Sequence, residues 1–395
     1  MSVYSTPELQ EDEQEVLRLI EDLREELSDR VAEPRRWNGS LRRMSFAKAV
    51  QGSNSIEGYD ASLDDVVAAV EGEPTVDADA ETELALVGYR DAMTYVLQIA
   101  DDETTDIDEG LLKGLHFMML KHDLRKNPGR WRPGAIHVRR EATGEVVYEG
   151  PRAEIVPALV AEMLTQLRSD NGHVLVKAAM AHLNLVMIHP FSDGNGRMAR
   201  CLQTLVLARD KIVAPVFSSI EEFLGRNTQT YYEVLGDVGH GAWHPNNDAR
   251  QWVRFCLRAH YLQATTVLQR REETERLWLA CLDLVEEHRL AERCTAALME
   301  AAYGFRIRRK SYRTAVDASF GEEIPDVTAS RDLKAMVDRG LLHAIGERRS
   351  RHYLASDQIS NIRKEIRGRR PPRDGRDPFL IARDKRQLRL AEDVG

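Results

Sequence analysis

The sequence is poor in cysteine and has no long apolar run. Its four cysteines, Cys201, Cys256, Cys281 and Cys294, are spread over 395 residues without a CxxC pair. That spacing suggests neither a zinc site nor a disulfide framework. No stretch of about 18 apolar residues occurs, so no transmembrane helix is expected. The N-terminus, MSVYSTPELQEDEQE, is polar and acidic, without the basic start or apolar core of a secretory signal. A cytoplasmic protein with no membrane partner is the expectation. What the chain does have is a hydrophobic fraction of 43%, enough for ordinary cores, and a length that suits two or three domains. Its net charge of −9 is unevenly placed: residues 301–395 carry 22 basic and 14 acidic side chains, leaving −17 for the rest. An acidic body with a basic end implies different partners for the two.

The densest chemistry lies in HPFSDGNGRMAR, His189 to Arg200. His189 ends a nearly continuous apolar segment, Val174 to Ile188, and histidine is the side chain most easily used as a base near neutral pH. Asp193 is a hard oxygen ligand suited to Mg²⁺. Gly194-Asn195-Gly196 has little side-chain bulk, so backbone N–H groups can approach an anion. A helix running from about Arg197 to Ala208 would turn its N-terminus toward the same anion. Arg197 and Arg200, three apart, share neighbouring positions on it. Base, metal ligand, amide nest and two guanidinium groups together describe a site for a magnesium-bound polyphosphate.

This string resembles the Fic (Fido) signature, HPFx[DE]GNGRxxR, at every defined position. The resemblance implies transfer of AMP from ATP to a protein hydroxyl. By the family pattern, His189 deprotonates a target Ser, Thr or Tyr, and Asp193 holds Mg²⁺. Gly194, Asn195, Gly196 and Arg197 bind the α- and β-phosphates, Arg200 binds the γ-phosphate, and Phe191 anchors the loop in the core. Upstream, Ser53, Glu57 and Gly58 match the family's inhibitory motif, [ST]xxxE[GN]. Read from the residues alone, Gln51 to Gly58 is a helix cap or turn. Tyr231 and Tyr232 with Leu235 resemble the family's YYxxL segment, where a tyrosine lines the adenine pocket. Ordinary aromatic packing is the alternative for both. Ile136 to Tyr148, with a turn at Thr143-Gly144, reads as a hairpin. The family's hairpin at this place is a flap that pairs with the target by strand addition. That puts Val138 and Arg139 near the nucleotide, although Val138-Arg139-Arg140 stands where many members have Ile-Gly-Gly.

Along the chain, Val16, Leu19, Leu23 and Leu27 predict a helix over residues 8–31, closed by Pro34. Asp106 is expected to cap a helix through Leu120, with Glu109 as its capping-box partner. His116 and His122 are six apart, share no helix face and are read as structural. Trp252 to Val267 is the expected last core helix, and residues 268–289 a charged connecting helix. Beyond it, helices over Thr295–Ala302, over Ser311–Ser319 and after Pro325, then a hairpin with its turn at Gly346-Glu347, resemble a winged helix. Arg331 and Lys334 on its third helix, with Arg348, Arg349 and Arg351 at the wing, suit a DNA reader, yet such folds also join proteins. The basic tail, with Pro371-Pro372, reads as mobile.

The expectation is an all-α protein with a Fic-type core, a small hairpin flap and a winged-helix domain. Residues 1–75 form a helical region with the inhibitory motif, and 76–267 form the catalytic core. Residues 268–289 connect, 290–356 form the winged helix, and 357–395 form the tail. The C-terminal module is expected to be separable from the activity. The leading function is a protein adenylyltransferase acting on Mg-ATP and restrained by Glu57. Transfer of another phosphate-containing group is an alternative; phosphate-transferring relatives carry Lys where this chain has Gly196. A DNA-binding regulator with a nucleotide-sensing core is another. A homodimer is left open.

Overall fold

The computed structural model describes residues 2–32, 35–140, 143–209, 215–347, 351–370 and 375–392. Pro34, Arg348, Arg349 and Pro371-Pro372 lie outside the described residues. The chain is mostly helical: α1 (Glu11–Ala32), α2 (Asn38–Ser55), α3 (Leu63–Glu71), α4 (Ala80–Gln98) and α5 (Glu109–Leu120) lead to strands β1 (His137–Arg139) and β2 (Val146–Glu149). Then come α6 (Val156–Ser169), α7 (Val174–Ile188), α8 (Asn195–Ala208), α9 (Pro215–Ser218), α10 (Glu221–Arg226), α11 (Thr228–Gly239) and α12 (Arg250–Glu287). A C-terminal unit follows, with α13 (Cys294–Ala302), α14 (Arg309–Phe320), α15 (Asp326–Asp338), β3 (Leu342–Ile345), β4 (His352–Ala355), α16 (Asp357–Gly368) and α17 (Pro378–Glu392).

α7 is the centre of the larger core. It is apolar all round and buried along almost its whole length, which requires neighbours on every side; α6, α8 and α12 supply them. The His173 side chain caps its start by accepting from the Leu175 N–H at 3.2 Å. Its end is set by His189, which takes the left-handed conformation (φ 51°) as the C-cap. The first hairpin is antiparallel, with Val138 opposite Tyr148 and an irregularity between Val138 and Arg139. In the second, Leu342 to Ile345 pair with Ala355 to His352, and Tyr353 also exchanges two backbone bonds with Ile307. Among the described residues no helix is long and apolar enough to cross a membrane.

Two hydrophobic cores organise the molecule, and α2 belongs to both. Ala47, Val50 and Ile56 pack into the core around α7, whereas Trp37, Leu41 and Met44 pack into the core of the C-terminal unit. Glycines fix both ends of this helix. A Cβ on Gly39 would overlap Ala318 of α14, and one on Gly52 would overlap the Glu221 carbonyl of α10. The core of the C-terminal unit thus includes residues of α1 and α2.

Several expectations need correction. The cap of α5 is Asp108, which accepts from the Leu111 N–H at 2.7 Å, not Asp106; Glu109 is already inside the helix and bonds Trp131 Nε1. The helix after the motif begins at Asn195, not Arg197. The last core helix and the connecting helix are one helix, α12, since 268–289 is charged but contains neither Gly nor Pro. Among the described residues of the tail, α17 is not loose: it packs on α1, with Ala382 buried, Arg254 stacked over Phe379 and Arg386 paired with Glu11 at 2.7 Å.

Candidate active site

His189 is placed by the backbone of α7 and oriented by one hydrogen bond. Its Nδ1 lies 3.1 Å from the Val186 carbonyl, an acceptor only, so Nδ1 carries the proton and Nε2 keeps the lone pair. Burial lowers the His189 pKa to about 4, a bond to Val186 opposing. The imidazole is thus neutral at physiological pH and able to accept a proton. Arg132, itself buried, fixes the chain around it. Its Nε donates to the His189 carbonyl at 2.8 Å, and its other nitrogens donate to the carbonyls of Gly134 and Pro151, the two feet of the first hairpin.

The loop after His189 is closed by its own side chains. Asn195 accepts from the Phe191 N–H at 2.9 Å and donates to the Phe191 carbonyl at 3.0 Å. Its side chain is thereby committed to the loop, leaving only its backbone N–H for a ligand. Phe191 is fully buried, and its ring stacks on His116 with centroids 3.7 Å apart. His116 accepts from the Gly129 N–H at Nδ1 and so donates from Nε2 to the Asp193 carbonyl at 2.9 Å. It is structural, as read from the sequence, and supports the loop from beneath. Gly194, the N-cap of α8, has φ 74°, and a Cβ there would press on Leu120 and His116. The first N–H groups of α8 find no acceptor within a helix, so Asn195, Gly196 and Arg197 turn theirs outward.

Asp193 projects from the loop. Its Oδ1 accepts from the Gly194 N–H and its Oδ2 pairs with Lys126 Nζ at 2.8 Å. Burial pushes its pKa up, but Lys126 and Arg197 outweigh burial and keep it below the ordinary carboxylate value. Arg197 is buried beneath the loop; its guanidinium faces the Tyr59 ring, 5.2 Å from the centroid, and its Nε and Nη1 have no hydrogen-bond partner among the described residues. A buried guanidinium short of acceptors is costly on its own and suited to an anion.

Arg200 reaches the N-terminal segment. Its Nε donates to Ser53 Oγ at 2.7 Å, and its Nη2 to the Ser53 carbonyl at 2.9 Å and to Glu57 Oε1 at 2.6 Å. Burial opposes the Arg200 charge, but Glu57 and the neighbouring tyrosines raise its pKa overall. Glu57 stands in the turn after α2, where Gly58 takes φ 83°. A Cβ on Gly196 would overlap Glu57 Oε1, so this carboxylate sits over the first turn of α8, where negative charge is favoured.

Of the two tyrosines, only Tyr232 is accessible. Tyr231 is 1% exposed; its hydroxyl bonds His182 Nε2 at 3.0 Å and lies beside the Arg200 guanidinium, with its ring packed in the core. Tyr232 is 48% exposed, and its hydroxyl donates to the Ile56 carbonyl beside Glu57. Val138 and Arg139 lie on β1, whose feet Arg132 ties to His189. The Arg139 guanidinium itself is turned to the Gly144 carbonyl at 2.8 Å. Sequence reading missed Arg132, Lys126 and Tyr59. Each joins the site from a distant segment or a loop without periodicity, and only the position of Tyr59, one residue past Gly58, gave a signal.

Comparison with known proteins agrees with this geometry. Residues 106–207 match the profile of the Fic/DOC family, so the chain contains a Fic domain. The "Protein adenylyltransferase Fic" of Nematostella vectensis is 28% identical over 280 residues, which cover 66% of this chain and 59% of that protein. The protein of the same name from Drosophila yakuba is 31% identical over 227 residues, 55% of this chain and 41% of that one. The chain thus spans less than two thirds of the length of these relatives. Among solved structures, a Fic family protein from Desulfovibrio desulfuricans G20 superposes with a TM-score of 0.56 at 20% identity, covering 89% of this chain and 98% of that one. Fic-1 of C. elegans (residues 134–508) gives a TM-score of 0.50 at 23% identity over 66% of this chain and 73% of that one. These structural likenesses are of fold.

Proposed function

We propose that the Fic domain of this chain transfers AMP from Mg-ATP to Ser, Thr or Tyr hydroxyls of proteins, and that Glu57 restrains it. The observation that carries this reading is a neutral imidazole with its lone pair at Nε2, held beside a helix N-terminus that also buries Arg197 and Arg200. In the reaction His189 Nε2 takes the proton of the target hydroxyl as its oxygen bonds to the α-phosphorus. The bond from that phosphorus to the bridging oxygen breaks, and pyrophosphate leaves. The N–H groups of Asn195, Gly196 and Arg197, with the Arg197 guanidinium, hold the phosphate oxygens and favour the charge that develops there. Arg132 ties the feet of the flap to the His189 backbone, and strand β1 offers an edge for a target backbone.

The donor set fits Mg²⁺. Asp193 is one ionised carboxylate beside the anion loop, and Mg²⁺ commonly binds through one or two carboxylates together with substrate phosphates. Among the described residues no cluster of three or more His, Cys, Asp or Glu side chains could hold a metal alone, in keeping with a metal that arrives on the nucleotide. Bound there, Mg²⁺ would neutralise phosphate charge as pyrophosphate forms.

Glu57 competes for Arg200. With the guanidinium bonded to Ser53 and Glu57, a γ-phosphate loses its partner, and a nucleotide held askew reacts slowly. The winged-helix reading of the C-terminal unit belongs to the same proposal as a support for α2. Arg331 and Lys334 face solvent on α15, although Lys334 is paired with Asp338. Four free, buried cysteines suit a reducing, cytoplasmic setting. The test is incubation of the Glu57→Gly chain with ATP labelled at the α- or γ-phosphate. Label retained from the α-position alone is the expected result. Retention of the γ-label would replace AMP transfer by phosphate transfer, and no retention of either, with nucleotide bound, would leave a sensing core.

A further inference from the structure

Lys126 reaches the anion loop at Asp193 and has no part in the chemistry above. It ends a short 3-10 turn, Leu124–Lys126. The turn is fixed at its start by the Asp123 side chain, which accepts from the Arg125 N–H, and at its end by Asn127 in the left-handed conformation. The backbone is therefore pinned while the side chain keeps its freedom. Nζ lies 2.8 Å from Asp193 Oδ2 and 3.4 Å from the Tyr59 hydroxyl, and Tyr59 in turn faces the Arg197 guanidinium. The Lys126 and Asp193 side chains are 26% and 36% exposed, so a ligand can reach the pair.

A divalent cation on Asp193 would stand about 2 Å from a carboxylate oxygen. The ammonium, bonded to that same carboxylate, would then face a double positive charge at close range. Asp123, the other carboxylate on this turn, is already taken by Arg125 at 2.8 and 2.9 Å. The phosphates carried by the metal, seated between the loop amides and Arg197, are the negative charge left within reach of the flexible stem. Lysine binds phosphate well as a mobile point charge.

We infer that Lys126 is a nucleotide-binding residue: it neutralises Asp193 before metal and nucleotide enter, and passes to the α- or β-phosphate when they do. The exchange keeps Asp193 and Lys126 each paired with an opposite charge in both states, so neither is left uncompensated. It also makes Lys126 a competitor for the metal carboxylate, favouring entry of metal already bound to nucleotide. The inference rests on reading the site as one for Mg-ATP.

The experiment is calorimetric titration of the full chain carrying Glu57→Gly, with and without Lys126→Met or Lys126→Arg, against Mg-ATP, Mg-ADP and adenosine. Lys126→Met is expected to weaken Mg-ATP and Mg-ADP by the same factor, ten-fold or more, with adenosine unchanged and Lys126→Arg recovering most of the loss. Unchanged affinity for both nucleotides would overturn the inference, and so would an equal loss for adenosine, which would mark a structural role. If the Glu57→Gly chain with Lys126 intact bound no nucleotide, the reading of the site itself would fall first.

Discussion

At the residue scale, the proposed function assigns proton acceptance and phosphate binding to different groups, which substitution can separate. His189 is not an anion ligand: its Nδ1 is spent on Val186. His189→Ala is therefore expected to lower transfer by ~10²–10⁴, the usual loss for a general base, while nucleotide affinity is largely kept. Auto-modification with α-labelled ATP beside calorimetry reads both, and native labelling by the alanine variant would remove the base assignment. Glu57 tests the opposite sign. Its bond to Arg200 is charged and largely shielded from water, a contact worth ~1.5–3 kcal/mol. Glu57→Gly is expected to raise labelling by roughly ten-fold or more, whereas Arg200→Ala gains nothing because it removes the phosphate ligand with the lock. Equal labelling in wild type and Glu57→Gly would reduce the pair to a structural ion pair. The residues of the motif were legible in the sequence because they are contiguous. Tyr231 was not: its neighbours His182 and Trp252 belong to α7 and α12, and only packing turns it inward.

At the scale of elements, the proposed restraint falls to α2, because its last turn holds Ser53 and the following turn holds Glu57. Its position is set by the close approach to α10, where Gly52 lies against the backbone of Glu221 and Glu222, and Gly225 against the backbone of Gly52. Gly52→Ala puts a methyl group into the Glu221 carbonyl, a backbone atom that cannot swing away. The helices must part, at a cost of about 1–3 kcal/mol, and Ser53 and Glu57 move with them. Lower stability in chemical denaturation together with higher α-label incorporation is the expected pair of results. A folded variant that is less stable but labels as wild type would show that α2 does not set Glu57. Nothing in the chain marks this crossing, since Gly52 reads locally as a helix end. Likewise α12 was divided at Val267 on composition alone, although its charged stretch is made of good helix formers and contains no breaker.

At the scale of the whole molecule, acid is expected to act through four histidines held in neutral form, three of them buried and His189 partly exposed. Burial lowers His116 and His189 to about 4 and His182 and His260 to about 3. Unfolded, each would titrate near 6.5. The unfolded state therefore takes up protons first, and stability that is fully present above pH ~6.5 is lost as pH falls toward 4. Each histidine contributes on the order of 1.4 kcal/mol per pH unit in that window. Glu71 and Glu221, whose pKa values burial raises, work in the opposite direction, and two carboxyls offset only part of four imidazoles. Denaturation midpoints at pH 7.5, 6 and 5 are expected to fall steadily; a midpoint that holds from 7.5 to 5 would mean that the imidazoles gain solvent or partners as they charge.

What the sequence determined by itself is what neighbours in the chain decide. Apolar spacing marked α1, the unbroken apolar run marked α7, the Thr143-Gly144 turn marked the first hairpin, and His189 to Arg200 announced a base, an acid and an anion loop. Each depends on dihedral preference, capping or periodicity within a few residues. Only the tertiary structure decided which distant groups meet. Glu57 lies 143 positions from Arg200, Lys126 and Arg132 come to the loop from another segment, and α17 returns to cover α1. The physical reason is that such contacts depend on which helix faces bury each other, and small residues such as Gly39, Gly52 and Gly196 permit the approach without leaving any periodic trace in the chain.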